Sequence, residues 1–125
     1  MALAAAALVL ITALWLAPPG SQRPMAVSPK APVFRIIEGK AHSVYPYSPN
    51  VLTIPARRVV TVVLTDNLGG CGLVTVFPRL AVHGGAARVR VPVGASRAVA
   101  LRAPAPGRYP FHCAGDMYFG TIVAR

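Results

Sequence analysis

Acidic side chains are nearly absent from this chain. Glu38, Asp66 and Asp116 stand against eleven arginines and two lysines, for a formal charge of +10 over 125 residues. So few carboxylates leave no general acid–base pair and exclude hydrolytic catalysis of the two-carboxylate kind. Gly-x-Ser-x-Gly, His-Glu-x-x-His and a glycine-rich phosphate loop are missing as well, so nothing marks the chain as an enzyme. Cysteine is scarce, with only Cys71 and Cys113. Basic clusters interleaved with stacking aromatics are also lacking, which argues against a nucleic-acid surface. The arginines come singly or in pairs, as in Arg88-Val-Arg90-Val. They read as a solvated basic surface, with an acidic protein or an anionic membrane as the partners such charge would suit.

One long apolar run is present, Ala2 to Ala17, without a charged residue. As a helix it would span ~24 Å at 1.5 Å per residue, a little less than the ~30 Å hydrocarbon core. A signal-peptide core is usually shorter and ends in a small-x-small site, whereas Trp15-Leu16-Ala17 places a bulky ring there. Residues 1–17 therefore read as an uncleaved membrane anchor, with a removed signal as the alternative. Arg23, Lys30 and Arg35 follow the run and no basic residue precedes it. The positive-inside rule taken alone would keep such a downstream domain in the cytoplasm. The β-rich remainder resembles an exported domain, and the expectation is a periplasmic or extracellular one, held at the cell membrane or secreted after cleavage. Residues 18–33 contain five prolines and no hydrophobic period, which reads as an extended linker.

From Phe34 the chain reads as short strands between turn residues. The spacing predicts strands at 34–38, 51–54, 58–65, 73–77, 88–91, 98–102, 109–113 and 121–124. No helical period appears after residue 34. Residues 34–125 are thus expected to form one all-β Greek-key sandwich or barrel, and about 90 residues suffice for its core.

The chemistry concentrates at the end. In Pro110-Phe-His-Cys113-Ala-Gly-Asp116-Met117-Tyr-Phe-Gly120 a strand runs into a cysteine and a polar turn carries a methionine four residues on. Thiolate and thioether are soft donors that favour Cu(I). Cys71, at the edge of another β-run, is the second thiol. Two cysteines in an exported β-domain also suit a disulfide. A Cys71–Cys113 bond would close a loop of about 40 residues and stabilise by ~4 kcal/mol on the chain-entropy model. Both states, Cu(I) site and disulfide, are open to one pair of thiols.

The succession of Pro49-Asn-Val-Leu-Thr-Ile-Pro-Ala56, a long apolar strand, Asp66-Asn67, Pro104-Ala-Pro-Gly-Arg-Tyr-Pro-Phe-His-Cys113 and Gly120-Thr-Ile-Val123 resembles the cupredoxin superfamily over residues 34–125. That resemblance implies a sandwich with a copper site between two loops at one end, after an N-terminal apolar helix in this chain. It also shows three departures from the blue-copper pattern. Cys71 occupies the loop where the first histidine is expected, Asp116 stands where plastocyanin-like members carry the second, and Met117 follows Cys113 closely. Gly70-Cys71, Phe77-Pro78-x-Leu80-x-Val82 and Cys113-x-x-x-Met117-x-x-Gly120 are more similar to a subfamily whose closing loop is Cys-Gly-Met-x-Met-x-x-Gly. Its first methionine is replaced here by Gly115. The resemblance implies Cys71, Cys113 and Met117 as metal ligands, with Asp116 near them. Nearby arginines are expected to favour the thiolates.

Together these features describe a membrane-tethered protein that binds copper, as Cu(I), for handling or delivery to a copper-accepting protein. The alternative is a metal-free accessory subunit of a membrane complex, a respiratory one for instance, with Cys71 and Cys113 oxidised. The last strands resemble the copper domain of cytochrome oxidase subunit II, but they lack its second loop cysteine and cannot build a binuclear centre. His112 alternates with Cys113 and should face away from it. His83 lies in a polar turn and His42 before Tyr45-Pro-Tyr47, neither with an evident role. Tyr109, Phe111, Phe119 and Phe77 are expected to pack in the core or at the barrel end.

Overall fold

The computed structural model describes residues 30–125, apart from the side chains at 71 and 72. The apolar run 2–17 and most of the 18–33 linker lie outside the described residues. Among the described residues no helix is long and apolar enough to cross a membrane.

Among the described residues nine strands form in chain order: β1 (Val33–Glu38), β2 (Tyr47–Ser48), β3 (Val51–Ile54), β4 (Val59–Asp66), β5 (Val74–Phe77), β6 (Ala87–Arg90), β7 (Ser96–Arg102), β8 (Gly107–Cys113) and β9 (Phe119–Ala124). β-branched runs such as Val59-Val-Thr-Val-Val-Leu-Thr favour extended backbone because their stiff side chains pack on a pleated surface. The strands make two sheets, ordered β2-β1-β4-β7 and β3-β9-β8-β5-β6. β1 runs parallel to β4 and β3 parallel to β9, while the remaining pairs are antiparallel. The all-β sandwich expected from the spacing is the architecture observed. β2 escaped the sequence reading because two residues carry no period. A short 3₁₀ turn, Gly70–Leu73, leads into β5.

Alternation places the core. Ile36, Val60, Val62, Leu64 and Leu101 face inward from the first sheet, and Phe77, Tyr109, Phe111, Ile122 and Ala124 from the second. Phe111 lies between the sheets, its ring centroid 4.9 Å from Tyr47 and 5.1 Å from Phe77. These edge and tilted contacts are the arrangements aromatic quadrupoles favour. Gly120 of β9 stands opposite Phe111 in the β8–β9 register, and a Cβ there would overlap the Phe111 ring. Tyr109 donates its hydroxyl to the Ala105 carbonyl at 2.6 Å, tying the turn before β8 to the strand. The expectation for Phe119 is corrected: it is 57% exposed, because it pairs with outward-facing His112 across β8–β9.

The Gly120–Phe111 contact makes a direct prediction. Gly120→Ala forces a methyl group against a ring that has no room to retreat, and overpacking of this kind costs about 1–3 kcal/mol. Urea unfolding should show that loss with an unchanged m-value.

Candidate metal and thiol site at one end of the barrel

Two loops meet beside the end of β8. The first leaves β4 at Asp66, whose Oδ1 accepts the backbone N–H groups of Leu68 at 2.8 Å and Gly69 at 2.9 Å. This side-chain-to-backbone turn starts the segment that carries Cys71. Gly69 has φ 68°, and a Cβ there would strike Val93, so glycine is required for the bend. The Gly70–Leu73 turn beyond it lies against β8, which brings the Cys71 backbone to the end where Cys113 stands. The side chain of Cys71 lies outside the described residues.

The second loop joins β8 to β9. Asp116 N–H donates to the Cys113 carbonyl at 3.0 Å, and Cys113 N–H donates to the Tyr118 carbonyl at 3.0 Å. Asp116 adopts φ 56°, a left-handed conformation that aspartate tolerates better than most residues. Folded this way, the loop turns two donors onto the cysteine: the N–H groups of Met117 and Tyr118 each reach Cys113 Sγ at 3.3 Å. Cys113 itself is fully buried. Cys113 is disulfide-bonded, so these donors meet a disulfide sulfur. Arg88 and Arg90 of β6 lie on the exposed face of the sheet.

The other predicted residues divide. Met117 is 71% exposed at the loop tip, so its thioether is packed into nothing and has room to turn. Asp116 faces His112, whose Nδ1 lies 2.8 Å from Asp116 Oδ1 and 2.7 Å from the Cys113 carbonyl oxygen. Both neighbours are acceptors, so Nδ1 carries a hydrogen. His112 points away from the Cys113 side chain, as strand alternation predicts, and pairs with Val76 and Phe119 across the sheet. The pair it forms with Asp116 was not anticipated. His83 and His42 sit on exposed turns. Among the described residues no cluster of three or more histidine, cysteine or acidic side chains forms a metal site.

A buried polar cluster behind Cys113 was also missed. Thr75 of β5 is the register partner of Cys113. Its hydroxyl donates to Glu38 Oε1 at 2.7 Å and lies 2.9 Å from the Tyr47 hydroxyl. Glu38, Asp66 and Thr75 are all buried. Burial, with Asp66 adding to it, raises Glu38 from 4.5 to about 7 against the lowering effect of the Thr75 hydrogen bond. Burial likewise pushes the Tyr47 phenol above its usual range. The signal was present in sequence as alternation: Phe34-x-Ile36-x-Glu38 and Val60-x-Val62-x-Leu64-x-Asp66 put both acids on inward faces.

No family model and no curated protein matches the chain, but solved structures do. The metal-binding domain of the Cu(I)-exporting P-type ATPase CopA of Streptococcus pneumoniae D39, solved with Cu(I), is similar at a TM-score of 0.60. Its identity is 16%, over 74% of this chain and 84% of that one. Dithionite-reduced auracyanin from Roseiflexus castenholzii matches at 0.55 and 15% identity, over 76% and 98%. Auracyanin A, a blue copper protein of Chloroflexus aurantiacus, matches at 0.55 and 17%, over 74% and 98%. At these identities the likeness is one of fold, and the fold is that of the cupredoxins.

Because Met117 and Asp116 are both largely exposed, neither supports the fold. Met117→Ala and Asp116→Asn should each change unfolding stability by less than about 0.5 kcal/mol. Chemical denaturation of the metal-free protein checks this and separates a ligand role from a structural one.

Proposed function

We propose that this chain is a copper-handling protein of cupredoxin fold, carrying Cu(I) as cargo on the thiolates of Cys71 and Cys113 with Met117 as a third, thioether donor. The observation that carries this reading is the sulfur of Cys113, buried at the loop end and met by two backbone N–H groups from the loop that also bears Met117. Once reduced, that sulfur keeps these two donors beside it, and Cu(I) is the ion that a low-coordinate set of soft donors suits. Cys71 and Asp116 stand where the resemblance expects histidines, which supports Cu(I) over blue-copper electron transfer, a chemistry that needs two imidazoles. Fold likeness to a domain solved with Cu(I) adds support. Asp116 is given no ligand role here, because His112 engages its carboxylate.

The same pair accounts for an oxidised form. Cys113 is disulfide-bonded, and Cys71 is the chain's one other cysteine. Reduction by an external dithiol supplies two electrons and two protons, breaks that bond and leaves the reductant as its own disulfide. Loading with Cu(I) then releases the thiol protons. Export and tethering through residues 1–33 complete the reading.

The test is a Cu(I) titration of the reduced chain against a competing chelator. Cys71→Ala and Cys113→Ala should each weaken binding on the order of 100-fold or more, since loss of an outer-shell partner alone costs 10- to 100-fold at metal sites. Met117→Ala should weaken it less, by roughly tenfold on the same scale. Equal affinity of the wild type and Cys71→Ala sinks the proposal. With a native disulfide that also resists reduction, that result leaves the metal-free accessory subunit of a membrane complex as the reading.

Cu(II) provides a second check by eye. Two Cu(II) ions should oxidise the two thiols to a disulfide, giving two Cu(I) and two protons and a colourless solution with no titratable thiol. A stable blue protein would mean that a histidine, His83 or His112 first, enters the site.

A further inference from the structure

Beyond copper, the structure holds an acid pair with nothing assigned to it. Glu38 and Asp66 lie side by side in the parallel β1–β4 register, and both are buried. Each has one oxygen satisfied by the protein: Thr75 donates to Glu38 Oε1, and the Leu68 and Gly69 N–H groups donate to Asp66 Oδ1. The other oxygens, Glu38 Oε2 and Asp66 Oδ2, are buried with no donor. Two orphaned acceptors on carboxyl groups that are register partners cannot both stay ionised away from water.

One proton resolves the whole cluster. The Thr75 hydrogen is committed to Glu38 Oε1, so the Tyr47 hydroxyl donates to Thr75 Oγ1. A hydrogen on Glu38 Oε2, donated to Asp66 Oδ2, then leaves neither carboxyl oxygen without a partner. The position matters as much as the bond. Asp66 Oδ1 holds the start of the loop that carries Cys71, and Glu38 holds Thr75, which stands opposite Cys113.

We propose that Glu38 and Asp66 form a buried proton-binding site, one proton shared between Glu38 Oε2 and Asp66 Oδ2, that acts as a latch on the Cys71-bearing loop and on the strand facing Cys113. With the proton in place the two carboxyl groups attract each other, and without it they repel across the β1–β4 pair. The groups acting on Glu38 are Asp66 from β4 and Thr75 from β5. Tyr47 from β2 faces the cluster through Thr75, and Tyr118 acts on Tyr47 from the β8–β9 loop. No cation among the described residues contributes to either shift. The site stands whether or not the cysteines carry copper.

Burial shifts Glu38 from 4.5 to about 7, so the folded state binds this proton more tightly than the unfolded one. The stability it contributes is fully present below about pH 4.5 and is lost as pH rises through about 7. Each unit of difference is tenfold, so the unfolding constant should rise by roughly two powers of ten across that window.

Glu38 is the chain's sole glutamate, so the full-length protein with ¹³C-labelled glutamate gives one carboxyl resonance. That resonance should titrate with a midpoint near 7. Asp66→Asn should lower the midpoint and Thr75→Val should raise it, opposite shifts that a purely structural role would not produce. Glu38→Gln, which keeps a donor toward Asp66, should remove the pH step in unfolding. The Leu68 and Gly69 amides should lose exchange protection as the resonance titrates, and keep it in Glu38→Gln. A midpoint in the ordinary carboxylate range, or one unmoved by Asp66→Asn, overturns the shared proton. Amide protection unchanged through the step overturns the latch. The wild-type titration decides the first point even if a variant fails to fold.

Discussion

The packing of Phe111 between the two sheets is the constraint on which the rest of the structure depends. Its ring fills the space between Tyr47, Phe77 and the bare backbone of Gly120. Interiors packed at crystal-like density allow little sliding, so this contact sets how far β8 can move along its neighbours. Cys113 lies two residues further on the same inward face. Where the ring sits therefore determines where the sulfur emerges at the end of the barrel, and the next loop can aim its N–H groups only because its root is rigid.

Behind that sulfur the interior changes from apolar to polar over one step of the pleat. Ile36 gives way to Glu38 on β1, and Leu64 to Asp66 on β4. The hydrogen bond from Thr75 to Glu38 crosses from one sheet to the other, whereas Tyr47 and Phe111 meet across the same gap as an aromatic pair. In a low-dielectric interior such a network is strong when complete and costly when it is not. The chain thus places its two inward acids, of three in all, against the loops that bear its two cysteines.

The outer face of the same sheet is organised differently. His112, Asp116 and Phe119 lie on it, and the His112–Asp116 contact there is exposed on the aspartate side. Alternation along β8 separates the two environments: Cys113 and Phe111 face the core while His112 faces outward. A histidine adjacent in sequence to a cysteine is, in this strand, on the wrong face to join it at one metal ion.

Much of this could be read from the residues. Turn signals and β-branched runs located eight of the nine strands. The order of motifs pointed to the cupredoxin sandwich, and two-residue periodicity predicted which way His112 points. β2 had too few residues to register, and Phe119 was misjudged because an aromatic next to a closing strand reads as core. The acid cluster had a signal in the alternation of Phe34, Ile36 and Glu38, yet its meaning depended on β1 lying beside β4, a pairing that no local pattern encodes.

The sequence by itself therefore determined the class of fold, the inward and outward faces of each strand and the residue types available at the barrel end, because these depend on local backbone preference and on alternation. Only the tertiary structure decided that Asp116 turns to His112, that the Met117 and Tyr118 N–H groups reach the Cys113 sulfur, and that Glu38 and Asp66 share one buried place. Those outcomes depend on which strands become neighbours and how closely their side chains pack, and long-range packing of that kind leaves no mark on any short stretch of chain.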